Sequence, residues 1–146
     1  MKLKLILEQA LNYRKCPKPA KDLKLNTRNR NKAIKADHIQ YGPLNVDKPG
    51  NFWKQIAKFW KTEEDAAKAS LCANCGAFDI SPRIKDCMPG ELQDEDGQLG
   101  YCWMHEFKCH SARTCRTWVK GGPIKTDDVS ETWAKQQEDK HKEEKQ

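Results

Sequence analysis

Six of the seven cysteines of this 146-residue chain fall between Cys72 and Trp118: Cys72, Cys75, Cys87, Cys102, Cys109 and Cys115. Thiols this concentrated point first to one centre, held by a metal, a cluster or disulfides. Cys72-Ala-Asn-Cys75 is a CxxC knuckle. Its two intervening residues let both sulfurs face one ion while backbone amides turn toward the thiolates, which suits Zn2+ and iron–sulfur clusters alike. Cys102-Trp-Met-His105 supplies a second knuckle, so Cys72, Cys75, Cys102 and His105 would make a Cys3His zinc site. Cys16, beside Pro17 and Pro19 and far from the others, reads as a free thiol. Cys109-His110 would be the one nucleophile–base pair, but adjacent residues seldom bring sulfur and imidazole together productively. With no Gly-rich phosphate loop and no G-x-S-x-G, the chain reads as a non-enzyme.

Several elements must position these thiols. Residues 1–15 carry Leu3, Ile6, Leu7, Ala10 and Leu11 at helical spacing, and Cys16-Pro-Lys-Pro19 stops them. Residues 20–50 are polar, rich in Asn, Lys and Arg, and predict an extended arm with at most a short helix over Asn26–Ile34. From Asn51, the residues Phe52, Trp53, Ile56, Ala57, Phe59 and Trp60 form an aromatic stripe that predicts a helix roofing the cysteine centre. A new helix start follows at Thr62-Glu-Glu-Asp65. Trp103, Phe107 and Trp118 are expected to wall the centre from water, with His110 outside the ligand set. Gly121-Gly-Pro123 breaks the chain before a charged, helix-like tail.

The net charge of +6 divides sharply. Residues 1–61 carry 15 Lys/Arg against 4 Asp/Glu, or +11, and residues 62–146 carry 12 against 17, or −5. The basic half suits either nucleic-acid phosphates or an acidic protein surface. A third of the residues are charged, so a self-sufficient core is not expected and a metal or disulfides must make up the deficit. No apolar run approaches the roughly 20 residues that cross a bilayer, and Glu8 and Gln9 cut short the one segment resembling a secretion signal. A reducing cytoplasm is expected, where clustered cysteines favour metal over disulfides.

The order CxxC, then Cys87-Met-Pro-Gly-Glu-Leu92, then Gly100-Tyr-Cys102 followed by an aromatic resembles the high-potential iron–sulfur proteins, which hold one [4Fe-4S] cube with four cysteines. The resemblance covers about residues 72–118 and implies Cys72, Cys75, Cys87 and Cys102 as ligands. Cys115-Arg-Thr-Trp118 also looks like that family's final segment, so Cys115 is an alternative fourth ligand, and Cys109 and His105 are further alternatives. The wider string, from the aromatic helix through Gly-Tyr-Cys-Trp-Met-His and Phe-Lys-Cys-His-Ser-Ala-Arg to Gly-Gly-Pro, is similar to small cysteine-rich proteins of marine tailed bacteriophages. That likeness implies a virion component, present in host cytoplasm before assembly.

The sequence thus predicts a small irregular α+β, metal-stapled domain with a basic arm and a helical tail. Its parts are a basic extended arm (1–50), an amphipathic aromatic helix (51–70), a cysteine-rich metal or cluster domain (71–120) and a charged tail (121–146). The expected role is structural, within a larger assembly of virion proteins. The expected cofactor is a [4Fe-4S] cluster, or alternatively Zn2+. A soluble electron carrier and a zinc-stapled nucleic-acid binder, contacting its ligand through the basic arm, are the alternative functions. No membrane partner is expected.

Overall fold

A computed structural model of the chain describes residues 16–144, so the expected helix over 1–15 lies outside the described residues. The architecture is a small mixed α+β fold. A three-stranded antiparallel sheet in the order β1-β2-β3 is built from Phe78–Asp79 (β1), Leu99–Cys102 (β2) and Phe107–His110 (β3). Among the described residues, six helices surround it: α1 Lys18–Lys21, α2 Leu23–Lys35, α3 Phe52–Trp60, α4 Glu64–Lys68, α5 Pro82–Cys87 and α6 Asp127–Glu144.

The sheet register sorts the side chains. Phe78 stands opposite Cys102, Cys102 opposite Phe107, and Gly100 opposite Cys109. Because successive side chains on a strand point to opposite faces, Phe78, Cys102, Phe107 and Cys109 share one face. Asp79, Tyr101 and Lys108 take the other. On the first face these residues pack with Ala33, Ile39, Tyr41, Cys72, Cys75 and Ala77, and Cys115 and Trp118 close against them. On the second, Tyr101 and Trp103 pack with Ala20, Ile84, Cys87, Met88 and Ile124, with Cys16 alongside. A three-stranded sheet therefore separates two cores.

The basic segment is not an extended arm from Cys16 onward. It folds as α1 and α2 and lies along the outer edge of β3. Asp22 caps α2 by accepting from Leu25 N–H at 3.1 Å. Asn26 Oδ1 accepts from Lys108 N–H at 2.7 Å, and the Tyr41 hydroxyl accepts from His110 N–H at 2.9 Å. Asn29 Nδ2 donates to the Glu106 carbonyl at 2.7 Å. Edge N–H groups left open would invite pairing with another chain. Here polar side chains, which carry no hydrophobic period, close them.

The aromatic stripe does form a helix, but it builds a satellite core of its own. Trp53, Ile56 and Ala57 pack with Ala67 of α4 and with Leu71. Lys61, in left-handed conformation at φ 58°, ends α3, and α4 begins at Glu64 as the acidic cluster predicts. Contact with the cysteine face runs through Trp60, whose ring lies 6.2 Å from that of Trp118 and whose Nε1 donates to the Arg116 carbonyl. The helix flanks the centre instead of roofing it. After the cis Gly122–Pro123 bond, α6 packs along α5 with Ser130 buried. Among the described residues, no helix is long and apolar enough to cross a membrane.

Candidate metal centre

Five cysteines remain as thiols, Cys72, Cys75, Cys102, Cys109 and Cys115, and all five line one enclosed cavity on the first face of the sheet. Tyr41, Phe78, Met104, Phe107 and Trp118 supply its apolar wall, with His105, Thr114 and Thr117 as its polar members. Each thiol arrives from a different local device. Cys72 opens a 3₁₀ turn, Cys72–Asn74, that brings Cys75 back toward it, and Cys75 N–H donates to the Cys72 carbonyl at 3.0 Å. Cys102 ends β2, Cys109 sits within β3, and Cys115 follows in the loop that returns past Trp118. Gly122 packs so closely on the Cys75 carbonyl that a Cβ there would overlap it, so the Gly-Gly-Pro break is also the brace behind the knuckle.

Electrostatics distinguish the thiols. Burial pushes the Cys75 thiol up, against N–H donation from Val119 and Ala77 to its sulfur. A hydrogen bond with Cys109 draws Cys102 down, and the His105 and Met104 N–H groups add to it. Burial also lifts Cys109 well above the ordinary thiol range, reinforced by its hydrogen bonds with Cys102 and Cys72. Cys115 is pushed up to about 12 by burial, although Thr117 offers it both backbone and side-chain hydrogen bonds, the hydroxyl at 3.1 Å. Cys75, Cys102 and Cys115 thus each accept from backbone N–H groups, the arrangement that stabilises a thiolate. For Cys109 the bonds are to other thiols.

Cys87 is elsewhere. It is bonded to Cys16 across a sequence separation of 71, on the second face of the sheet, which corrects two expectations: Cys87 as a ligand and Cys16 as a free thiol. The physical reason is strand parity. Helix α5 leaves β1 on the Tyr101 side, and Cys87 at its end has the sheet between itself and the cavity. Trp103 lies on that side too, donating to Asp79 Oδ2 at 2.8 Å, so it does not wall the centre, whereas Phe107 and Trp118 do. His110 sits outside the cavity lining, with Nε2 at 3.0 Å from Asp94.

Four thiolates around one zinc lie at ~2.3 Å from it and leave no room for a water molecule among them. Among the described residues no group of three or more His, Cys, Asp or Glu side chains is arranged to hold a metal ion. The five thiols instead border a void of ≈ 20 Å³, a little more than the roughly 10–15 Å³ that admits one water centre. Thr114 Oγ1 is buried in the cavity wall with no hydrogen-bond partner. His105, the zinc alternative, has its Nε2 engaged with Thr117 Oγ1 at 2.6 Å.

Burial, aided by the nearby His38 and Lys140 charges, lowers the His105 pKa to about 4, against ~6.5 for an exposed imidazole. The folded value lies below the unfolded one, so the unfolded chain takes up the proton first. Stability is then full above about pH 6.5 and falls as pH drops toward 4. Urea midpoints measured across this window should decline more steeply for the native chain than for His105→Gln, which keeps an amide donor for Thr117.

No protein-family model, curated protein or solved structure matches the chain. The likeness to high-potential iron–sulfur proteins rests on its motif residues alone. Cys109 carried the weakest sequence signal of the five cavity thiols. The signal that finds it is parity: across the hairpin Gly100-Tyr-Cys-Trp-Met-His-Glu-Phe-Lys-Cys109, Cys102 and Cys109 fall on the same face.

Proposed function

We propose that the chain is a non-enzymatic structural protein whose fold is stapled by a [4Fe-4S] cluster held by Cys72, Cys75, Cys102 and Cys115. The observation that carries this reading is the gathering of five thiols around one enclosed cavity, with the remaining two cysteines consumed on the far side of the sheet. Cys115 takes the place first assigned to Cys87, because its sulfur faces the cavity and accepts from Thr117. Cys109 stays as a protonated thiol beside the ligands. When bound, the cluster supplies four iron–thiolate bonds and a one-electron couple.

The chain's own residues do the rest. Phe78, Phe107 and Tyr41 exclude water, the Ala77, Met104, His105, Thr117 and Val119 N–H groups hold the sulfurs as acceptors, and the knuckle, the hairpin and the 115–118 loop are tied at one point. The motif likeness to phage proteins supports a virion as the assembly in which the chain serves. Anaerobic purification with a visible spectrum and iron, sulfide and zinc analysis tests the proposal. About four irons and four sulfides per chain are expected. A colourless chain with one zinc would overturn it.

A further inference from the structure

Helix α2 presents a second feature, independent of the thiol cavity. Its inner residues, Asn26, Asn29 and Ala33, are committed to the β3 edge and to the first core. Its outer face carries Lys24, Thr27, Arg28, Asn31, Lys32 and Lys35, all exposed. The helix holds five basic residues and no acidic one. Among the described residues, none of these cations is engaged in a salt bridge. The cations repeat at one-turn intervals along about 16 Å of helix, at 1.5 Å per residue.

From this face we infer a binding site for the phosphodiester backbone of a nucleic-acid duplex. The charge is of one sign and repeats in one direction, which matches a polyanion carrying one charge per ~1.7 Å of axis. Thr27 and Asn31 interleave neutral side chains that hydrogen-bond phosphate oxygens or base edges. A protein partner fits less well. Interface cores are depleted in charge and rich in aromatic residues, and the sole large hydrophobic group on this face is Leu23, 63% exposed at the helix start. The thiol cavity and this surface lie on different sides of α2's own packing, so the site does not depend on what the thiols hold.

The test is fluorescence anisotropy of the full-length chain with a labelled duplex of mixed sequence, between 50 and 200 mM salt. Four phosphates neutralised predict a log–log salt slope of about −3.6, or a loss of about 150-fold across that range. Combined Lys24→Ala, Arg28→Ala, Lys32→Ala and Lys35→Ala changes should weaken binding at least about 100-fold. The variant Lys54→Ala, Lys58→Ala, Lys85→Ala and Lys125→Ala, which removes the same charge from exposed lysines elsewhere, should lose only a few-fold. Circular dichroism melts keep loss of folding distinct, since alanine is favoured at exposed helical positions. No binding at 50 mM salt, equal loss from both variants, or competition by polyglutamate as strong as by DNA would each overturn the assignment.

Discussion

Replacing Cys102 or Cys115 with serine should remove more than nine-tenths of the iron and sulfide from anaerobically purified protein, while Cys87→Ser should remove almost none. The Cys115 and Cys87 results separate the ligand set implied by the motif resemblance from the set proposed from the fold. Cys102 and Cys115 line the cavity, and Cys87 lies beyond the sheet, joined to Cys16. Cys109→Ser is the sharper companion. Its thiol is hydrogen-bonded to Cys102 and Cys72, so serine should preserve the cluster and alter its spectrum and potential through the hydrogen bond to Cys102. The disulfide has its own signature. A bridge closing a 71-residue separation stabilises by about 4 kcal/mol in the chain-entropy account. Cys16→Ser with Cys87→Ser should thus lower the unfolding free energy by about that amount with iron intact. Loss of iron in the Cys16/Cys87 variant, with retention in Cys115→Ser, would restore the motif-based set.

What could be read beforehand follows from how far each signal reaches along the chain. The CxxC knuckle, the start of α3, the restart at α4 and the helical tail are local patterns of one or two turns, and each has its counterpart in the structure. Ligand choice was not local. It depends on which face of a sheet each cysteine meets, and β1, β2 and β3 span only two, four and four residues. Runs that short show no clear alternation, so Cys87 and Cys102 looked equivalent in sequence although their sulfurs are on opposite sides. The basic segment misled for another reason. Its order comes from Asn26, Asn29 and the Tyr41 hydroxyl bonding to the β3 edge and the turn before it, and from a few small residues such as Ala20 and Ala33 filling tight spaces. A polar, aliphatic-poor stretch reads as an arm when order rests on hydrogen bonds rather than on burial of large side chains.

Asp79→Ala should cost about 3–5 kcal/mol, the largest single-residue loss outside the thiol cavity, and Asp79→Asn about 1–2 kcal/mol. Asp79 is fully buried on the second face. Its Oδ1 accepts from Ser81 N–H at 2.8 Å and its Oδ2 from Trp103 Nε1 at 2.8 Å and from the Ser130 hydroxyl. Ser130 accepts in turn from Arg83 Nη1 at 2.8 Å. One carboxylate thereby joins the β1 strand, the start of α5, the strand β2 extension and helix α6. Alanine would strand three buried donors at once, whereas asparagine keeps an acceptor oxygen and close to the same volume. Urea unfolding gives both values. A loss below about 1 kcal/mol for alanine would mean that α6 is held by apolar packing instead. The neighbouring residue makes the comparison informative about the cavity. Phe78, next in the two-residue strand, points the opposite way into the thiol wall. Asp79→Asn should keep full iron content while the melting temperature falls, because alternation on β1 assigns the cavity wall to one residue and the helix joint to the next.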